Sequence, residues 1–167
     1  MASRAVFLDR DGVITKERKD HVKSVDEMEI IQGATDALAQ LRPLSCKLVI
    51  ITNQSAINRG LTSMLKVNEI HERMLEELSP YCKIDGIYLC PHRPDENCEC
   101  RKPRTALFDK ASHDLDIDLE NSWFIGDKSS DEEAAKNVHC RYIGVSTNTP
   151  GSLAKAVSKI LASETAK

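Results

Sequence analysis

Lys47-Leu48-Val49-Ile50-Ile51-Thr52 is apolar at four consecutive positions and rich in β-branched side chains. A strand with one wet face alternates apolar and polar residues, so this unbroken run predicts a strand covered on both faces, as in a parallel sheet. Ala5-Val6-Phe7-Leu8 is a shorter run of the same kind, and 84–89, 122–125 and 141–145 predict three further strands. Helical stripes fall between them. Ala34, Ala37, Leu38 and Leu41 form one, with Pro43 as its stop. Met64, Val67, Ile70, Met74 and Leu78 form a longer one that ends at Pro80, and His71 inside it is expected at the surface or boundary. Leu107, Ala111 and Leu115, then Ala134, Ala135 and Val138, then Leu153, Val157, Ile160 and Leu161 complete the set, with 162–167 expected as a frayed tail. Strands alternating with helices predict an α/β fold: three layers, Rossmann-like, around a central parallel sheet. Such sheets place ligands outside the carboxyl ends of their strands.

The chain of 167 residues fits a single domain spanning 1–167. With 41% hydrophobic and 29% charged residues it can bury a core, and with 4% aromatics that core is expected to be mainly aliphatic. The net charge of -3 argues against a general grip on nucleic acid or an anionic membrane, while leaving room for a local basic pocket. No apolar run approaches the ~20 residues of a membrane helix, and Met1–Leu8 enters a strand without a secretory leader. A cytoplasmic monomer is the expectation.

Four strand ends carry polar clusters. The first strand runs into Asp9-Arg10-Asp11-Gly12, whose carboxylates point the same way if extended geometry persists. Such a pair repels itself unless a metal or a shared proton intervenes; alternatively it is a turn with two solvated acids. The second strand ends in Thr52-Asn53-Gln54-Ser55, a phosphate cradle or else a helix cap. The third leads to Arg101-Lys102-Pro103, an anion grip or a solvated basic turn. The fourth ends in Gly126-Asp127-Lys128-Ser129-Ser130-Asp131, metal carboxylates or acids that complement a helix dipole. Each signal is modest alone. Together they fall at the carboxyl ends of successive strands and supply a nucleophilic carboxylate, a neighbouring acid, metal carboxylates, a hydroxyl and a lysine, an inventory suited to phosphoryl transfer through an aspartyl-phosphate.

Phe7–Gly12, Ile51–Gln54, Arg101–Pro103 and Ile125–Lys128 with Asp131 resemble the four signature motifs of haloacid dehalogenase-like phosphatases, in order and spacing. The resemblance covers about Ala5 to Val145 and implies Mg²⁺-dependent hydrolysis of a phosphomonoester. It implies Asp9 as nucleophile and Asp11 as acid and base. Mg²⁺ would be held by the carboxylates of Asp9 and Asp127 and the backbone carbonyl of Asp11. Thr52 and Lys102 would hold the phosphoryl oxygens, and Asn53, Gln54, Ser55, Arg59, Arg101 and Lys128 would line the substrate. Asp131 would orient neighbours of the metal. Relatives with a cap domain insert it between motifs; here residues 60–89 are used up by one helix and one strand, so no large cap is expected.

Cys90-Pro91-His92 and Cys98-Glu99-Cys100 give C-x-H-x5-C-x-C within the loop 90–104. Three thiolates and an imidazole complete a closed tetrahedral shell, which predicts a structural zinc rather than a catalytic one. Cys46, Cys82 and Cys140 lie in or beside apolar segments and are expected as small buried hydrophobes. A cysteine loop immediately before Arg-Lys-Pro resembles two phosphatase subfamilies, acting on D-glycero-D-manno-heptose 1,7-bisphosphate and on histidinol phosphate. Thr52–Gly60 is similar to the heptose subfamily, with Ala56 where that pattern has Gly. The short spacing of the zinc loop is shared with the histidinol subfamily. The implied substrate is a small phosphorylated sugar. A non-catalytic phosphosugar-binding zinc module is the contrasting possibility, and the intact Asp9 and Asp11 pair argues against it.

Overall fold

The computed structural model describes residues 1–165. Five strands form one parallel sheet: β1 (Ala5–Leu8), β2 (Lys47–Asn53), β3 (Gly86–Cys90), β4 (Trp123–Gly126) and β5 (Arg141–Gly144), in the order β3-β2-β1-β4-β5. Five helices connect and cover them: α1 (Ala34–Ala39), α2 (Met64–Leu78), α3 (Ala106–Leu115), α4 (Ser129–Asn137) and α5 (Ser152–Thr165). Leu8 pairs with Ile50 on one side and with Ile125 on the other, so the next residues of β1, β2 and β4 leave the sheet at one edge. Among the described residues no helix is long and apolar enough to cross a membrane.

The unbroken apolar runs make sense once both faces are seen to be covered. Val6 and Leu8 of β1, Leu48 and Ile50 of β2, and Ile125 of β4 pack with α1, α5 and the C-terminal half of α2. Ala5 and Phe7, Val49 and Ile51, and Phe124 point the other way, onto α3 and α4. Aromatics play a larger part than the composition suggests. Phe7, Phe108 and Phe124 stack at 5.1 Å between successive rings, and Tyr142 closes the row at 6.1 Å from Phe124. Burying each such ring contributes about 1.5–3 kcal/mol.

Several local expectations are corrected. Pro43 does not follow directly on α1. The helix ends at Ala39, and Pro43 sits inside a separate 3-10 turn, Arg42–Leu44, whose opening tolerates a residue without an N–H. Met64 opens α2 and is exposed, whereas Val67, Ile70, Met74 and Leu78 are buried. His71 is buried too, against expectation: it lies on the same stripe, one turn after Val67 and just under one before Met74. Ala162–Thr165 continue α5 instead of fraying, and Glu164 there pairs with Arg4 and Arg141. The remainder of that predicted tail, 166–167, lies outside the described residues. Cys82 and Cys140 are buried as expected, and Cys46 is half-buried.

The long segment after β1 is ordered. Thr15 bridges to Asp11 and to Ile30, and Lys16 N–H donates to the Glu29 carbonyl at 2.8 Å. Asn148 grips the segment from outside: its Oδ1 accepts from Glu17 N–H at 2.6 Å and its Nδ2 donates to the Glu17 carbonyl at 3.0 Å.

Candidate active site and zinc loop

The carboxyl edge of the sheet opens into a cavity of about 730 Å³. Asp9, Asp11, Asn53, Gln54, Ser55, Arg101, Lys102 and Lys128 line it, together with Asp131 and with Arg18, Lys19 and His21 from the first long segment. Thr52 is buried beneath it. Arg59 is exposed and does not line it, although its Nε reaches back to Ser55 Oγ at 3.2 Å.

Lys102 sits at the centre, and its three ammonium protons have three acceptors. Nζ donates to Asp9 Oδ1 at 2.9 Å and to the Ile51 carbonyl at 2.8 Å, and lies 2.8 Å from Asp131 Oδ1. Burial opposes its charge, but Asp9 and Asp131 outweigh burial and lift its pKa above the ordinary lysine value. Asn53, expected to meet substrate, is spent on holding Lys102: its Oδ1 accepts from Lys102 N–H at 3.0 Å and its Nδ2 donates to the Lys102 carbonyl at 3.3 Å.

Asp9 is buried at the end of β1. Burial pushes its carboxyl well above the usual range, Lys102 pulls it back, and the neighbouring Asp131 and Asp127 push it up further. One oxygen each from Asp9, Asp127 and Asp131 lie within 4.8 Å of one another. Thr147 Oγ1 donates to Asp127 Oδ2 at 2.6 Å, whereas Asp127 Oδ1 is buried and has no hydrogen-bond partner. A buried carboxylate oxygen left over among clustered acids fits a hard divalent cation such as Mg²⁺. Asp131 does more than orient neighbours: its Oδ2 accepts from the backbone N–H groups of Asp127 and Lys128 at 3.1 and 3.2 Å, which caps α4. Gly126 makes room for this, since a Cβ there would stand 2.7 Å from Asp131 Cγ. Lys128 Nζ bonds Glu17 at 2.7 Å and lies 3.6 Å from Asp127.

Asp11 turns away from that acid group. Arg10 Nε and Nη2 donate to Oδ1 at 3.1 and 3.0 Å, and Nη2 also donates to Oδ2 at 2.9 Å. Gln54 Nε2 donates to Asp11 Oδ2 and to Thr52 Oγ1, both at 2.8 Å, linking the predicted acid to the predicted phosphate hydroxyl. Arg10 is fully buried, and its Nη1 lies 3.0 Å from Nε2 of His71. Burial, with Arg10 beside it, pushes the His71 imidazole down to about 4. Sequence reasoning missed Arg10, His71, Thr147 and Asn148.

The cysteine loop closes on itself. Cys90 Sγ lies 2.9 Å from Cys100 Sγ and 3.6 Å from Cys98 Sγ. His92 Nδ1 lies 3.4 Å from Cys90 Sγ and 3.1 Å from Cys100 Sγ. Four soft donors in mutual contact fit a tetrahedral zinc ion without an open position. Burial raises the Cys98 thiol, but the Arg101 N–H and the neighbouring Cys90 outweigh burial and bring it to about 7, towards the thiolate that a metal needs. Arg101 is tied to the loop twice, by that N–H at 3.3 Å to Cys98 Sγ and by Nη1 at 3.3 Å to the His92 carbonyl.

A family model described as HAD-hydrolase-like matches residues 99–160. A D-glycero-beta-D-manno-heptose-1,7-bisphosphate 7-phosphatase of Helicobacter pylori is 39% identical over 150 residues, 89% of this chain and 86% of the relative. The chain belongs to the haloacid dehalogenase-like phosphatases. Another relative within that family, the Haemophilus ducreyi enzyme of the same description, is 37% identical over 166 residues, 95% of this chain and 88% of its own. Among solved structures, the D,D-heptose 1,7-bisphosphate phosphatase of Bordetella bronchiseptica, complexed with magnesium and phosphate, superposes with a TM-score of 0.88. It is 31% identical, covering 96% of this haloacid dehalogenase-like chain and 99% of that one.

Proposed function

We propose that the protein is a Mg²⁺-dependent phosphatase that removes the 7-phosphate of D-glycero-D-manno-heptose 1,7-bisphosphate. The observation that carries this is the placement of the Asp9 carboxylate beside Lys102 with Asp127 and Asp131 clustered around it, Asp127 keeping one buried oxygen without a hydrogen-bond partner. The similarity of nearly the whole chain to heptose bisphosphate phosphatases supports the choice of sugar.

Asp9 attacks phosphorus, a bond forms from its carboxylate oxygen, and the P–O bond to the sugar breaks. Asp11 gives its proton to the departing sugar oxygen. It then takes a proton from water as that water attacks the aspartyl-phosphate, which releases inorganic phosphate and restores Asp9. Thr52 and Lys102 hold phosphoryl oxygens, and Ser55, Arg101 and Lys128, which line the cavity, serve the rest of the bisphosphate. Asp9 and Asp127, with the Asp11 carbonyl, would hold Mg²⁺, which when bound neutralises oxygens that gain charge in the transition state. Cys90, His92, Cys98 and Cys100 would hold a structural zinc that fixes the approach to Arg101 and Lys102. The protein acts as a cytoplasmic monomer of one domain, and gel filtration tests the oligomeric state.

The deciding experiment is a phosphate-release screen with Mg²⁺, comparing kcat/KM for the heptose 1,7-bisphosphate, histidinol phosphate and fructose 1,6-bisphosphate. The heptose is expected to lead. A lead for histidinol phosphate would reassign the substrate, and an Asp9→Asn variant with full turnover would remove the aspartyl-phosphate scheme.

A further inference from the structure

We propose that Asn148 is a positioning residue for substrate selectivity: it clasps Glu17 and so sets where Lys128 and the Arg18–His21 turn face the cavity, which favours a sugar carrying two phosphates over the same sugar carrying one. This rests on the phosphatase reading above and deepens it.

Asn148 ties two segments together. Its backbone N–H donates to the Gly12 carbonyl at 3.0 Å, just past the end of β1. Its side chain holds Glu17 at two points, Oδ1 accepting from the Glu17 N–H at 2.6 Å and Nδ2 donating to the Glu17 carbonyl at 3.0 Å. An amide fits that pair in one orientation only, because one end accepts and the other donates. Thr147, the residue before it, donates to Asp127 Oδ2 at 2.6 Å, so the loop that carries the clasp is anchored beside the buried acids. Asn148 has φ +56°, a left-handed backbone that asparagine adopts more readily than most residues.

Glu17 passes the restraint on. Its carboxylate accepts from Lys128 Nζ at 2.7 Å, so its N–H, its C=O and its side chain are all engaged. After it the chain turns, with His21 N–H donating to the Arg18 carbonyl at 3.1 Å. Arg18 and Lys19 are exposed, yet they line the same cavity as the buried Asp9 and Lys102. Arg18 is steadied by Asp20, to which Nε and Nη2 donate at 3.2 Å. Past the turn, Thr62 Oγ1 donates to the Lys23 carbonyl at 2.8 Å. The turn is therefore pinned on both sides, and its N-terminal pin is Glu17. Asp9 and Lys102 form a floor suited to one phosphoryl group. Arg18, Lys19 and Lys128 stand nearer the mouth, where the second phosphate of the same sugar would lie. An anion gains most from cations already held in place, because less side-chain freedom is then lost on binding.

Asn148→Gly removes the clasp without straining the left-handed backbone. With Mg²⁺ present, kcat and KM are measured on the heptose 1,7-bisphosphate and on the heptose 7-phosphate. KM for the bisphosphate is expected to rise roughly 10-fold with kcat within about threefold of wild type, the pattern of lost binding and not of lost chemistry. On the 7-phosphate both constants are expected to stay within about threefold of wild type. Trypsin gives a readout independent of turnover: cleavage after Arg18 or Lys19, located by mass spectrometry, is expected to be about fivefold faster or more in the variant. If Asn148→Gly does not fold, Asn148→Ala, which also lacks the amide, must show the same split between the two sugars. Equal losses on both sugars, an unchanged KM for the bisphosphate, or unchanged cleavage would overturn the inference, while wild-type turnover of the bisphosphate leaves the phosphatase reading intact. A wild type that turns over neither sugar would overturn both.

Discussion

Lys102 Nζ donates to Asp9 Oδ1 at 2.9 Å across 93 positions of sequence, and the same ammonium lies 2.8 Å from Asp131. The lysine therefore neutralises a buried acid group before any metal arrives. Replacing it with methionine strands those acids. Lys102→Met is expected to cost about 3–5 kcal/mol of stability and to lower turnover by about 100-fold or more. Mg²⁺ should restore part of the stability, because the cation takes over the neutralisation. Urea unfolding with and without Mg²⁺ checks this, and a variant as stable as wild type in metal-free buffer would contradict it.

Acid should unfold the protein partly through His71. Its pKa is about 4 in the folded chain, below the ordinary 6.5. The unfolded chain therefore binds the proton more readily. The stability from this residue is complete above about pH 6.5 and is lost as pH falls towards 4, on the order of 3 kcal/mol in all. The raised Asp9 carboxyl acts in the opposite sense and is common to wild type and His71→Gln. The difference between their unfolding free energies from pH 7 to 4.5 isolates the histidine, and parallel pH curves would count against its burial as a neutral ring.

Gly12 has φ +88°, and a Cβ there would stand 3.0 Å from Asp127 Cγ and 3.1 Å from Thr147 Cγ2. Gly12→Ala meets both a left-handed backbone and an occupied space. About 1–3 kcal/mol of lost stability is expected, with a weakened response to Mg²⁺ because Asp127 is displaced. Thermal melts titrated with Mg²⁺ read both effects together. An unchanged Mg²⁺ midpoint would mean that Asp127 has not moved.

Freshly purified protein is expected to carry about one zinc per chain, measured by atomic absorption. Cys98→Ser should lower the melting temperature by about 5 °C or more and reduce turnover as a consequence, since Arg101 donates to Cys98 Sγ and Lys102 follows it. Purified protein free of zinc, yet stable and active, would refute the closed-shell assignment.

The sequence was most legible where one physical constraint acted alone. β1 has the boundaries expected of it because an apolar run meets Asp9 directly. The cluster of Cys90, His92, Cys98 and Cys100 was legible because chain spacing alone brings the four side chains into one loop. Pro43 misled because proline ends helices and also opens 3-10 turns. His71 was misjudged by residue type, although its spacing from Val67, Met74 and Leu78 already put it on the buried stripe. Arg10 had no local signal. Its burial depends on a histidine 61 positions away, and pairing at that distance is a property of the fold. Asn53 and Gln54 were legible as a polar cluster, but not the direction of their amides, which hold Lys102 and Asp11.

Because β1 lies between β2 and β4, Asp9 at its end is flanked by segments made early and late in synthesis. A nascent chain that ends at Asn121 already contains Asp9, Asp11 and Lys102, yet one edge of β1 still lacks its neighbour. The acids Asp127 and Asp131 and the Thr147 hydroxyl have not emerged. A prematurely terminated chain is therefore expected to be inert and, with an open sheet edge, a ready target for proteolysis. Translation has to pass Thr147 before every group around Asp9 is present, so catalytic competence serves as a built-in report that the sheet has been completed.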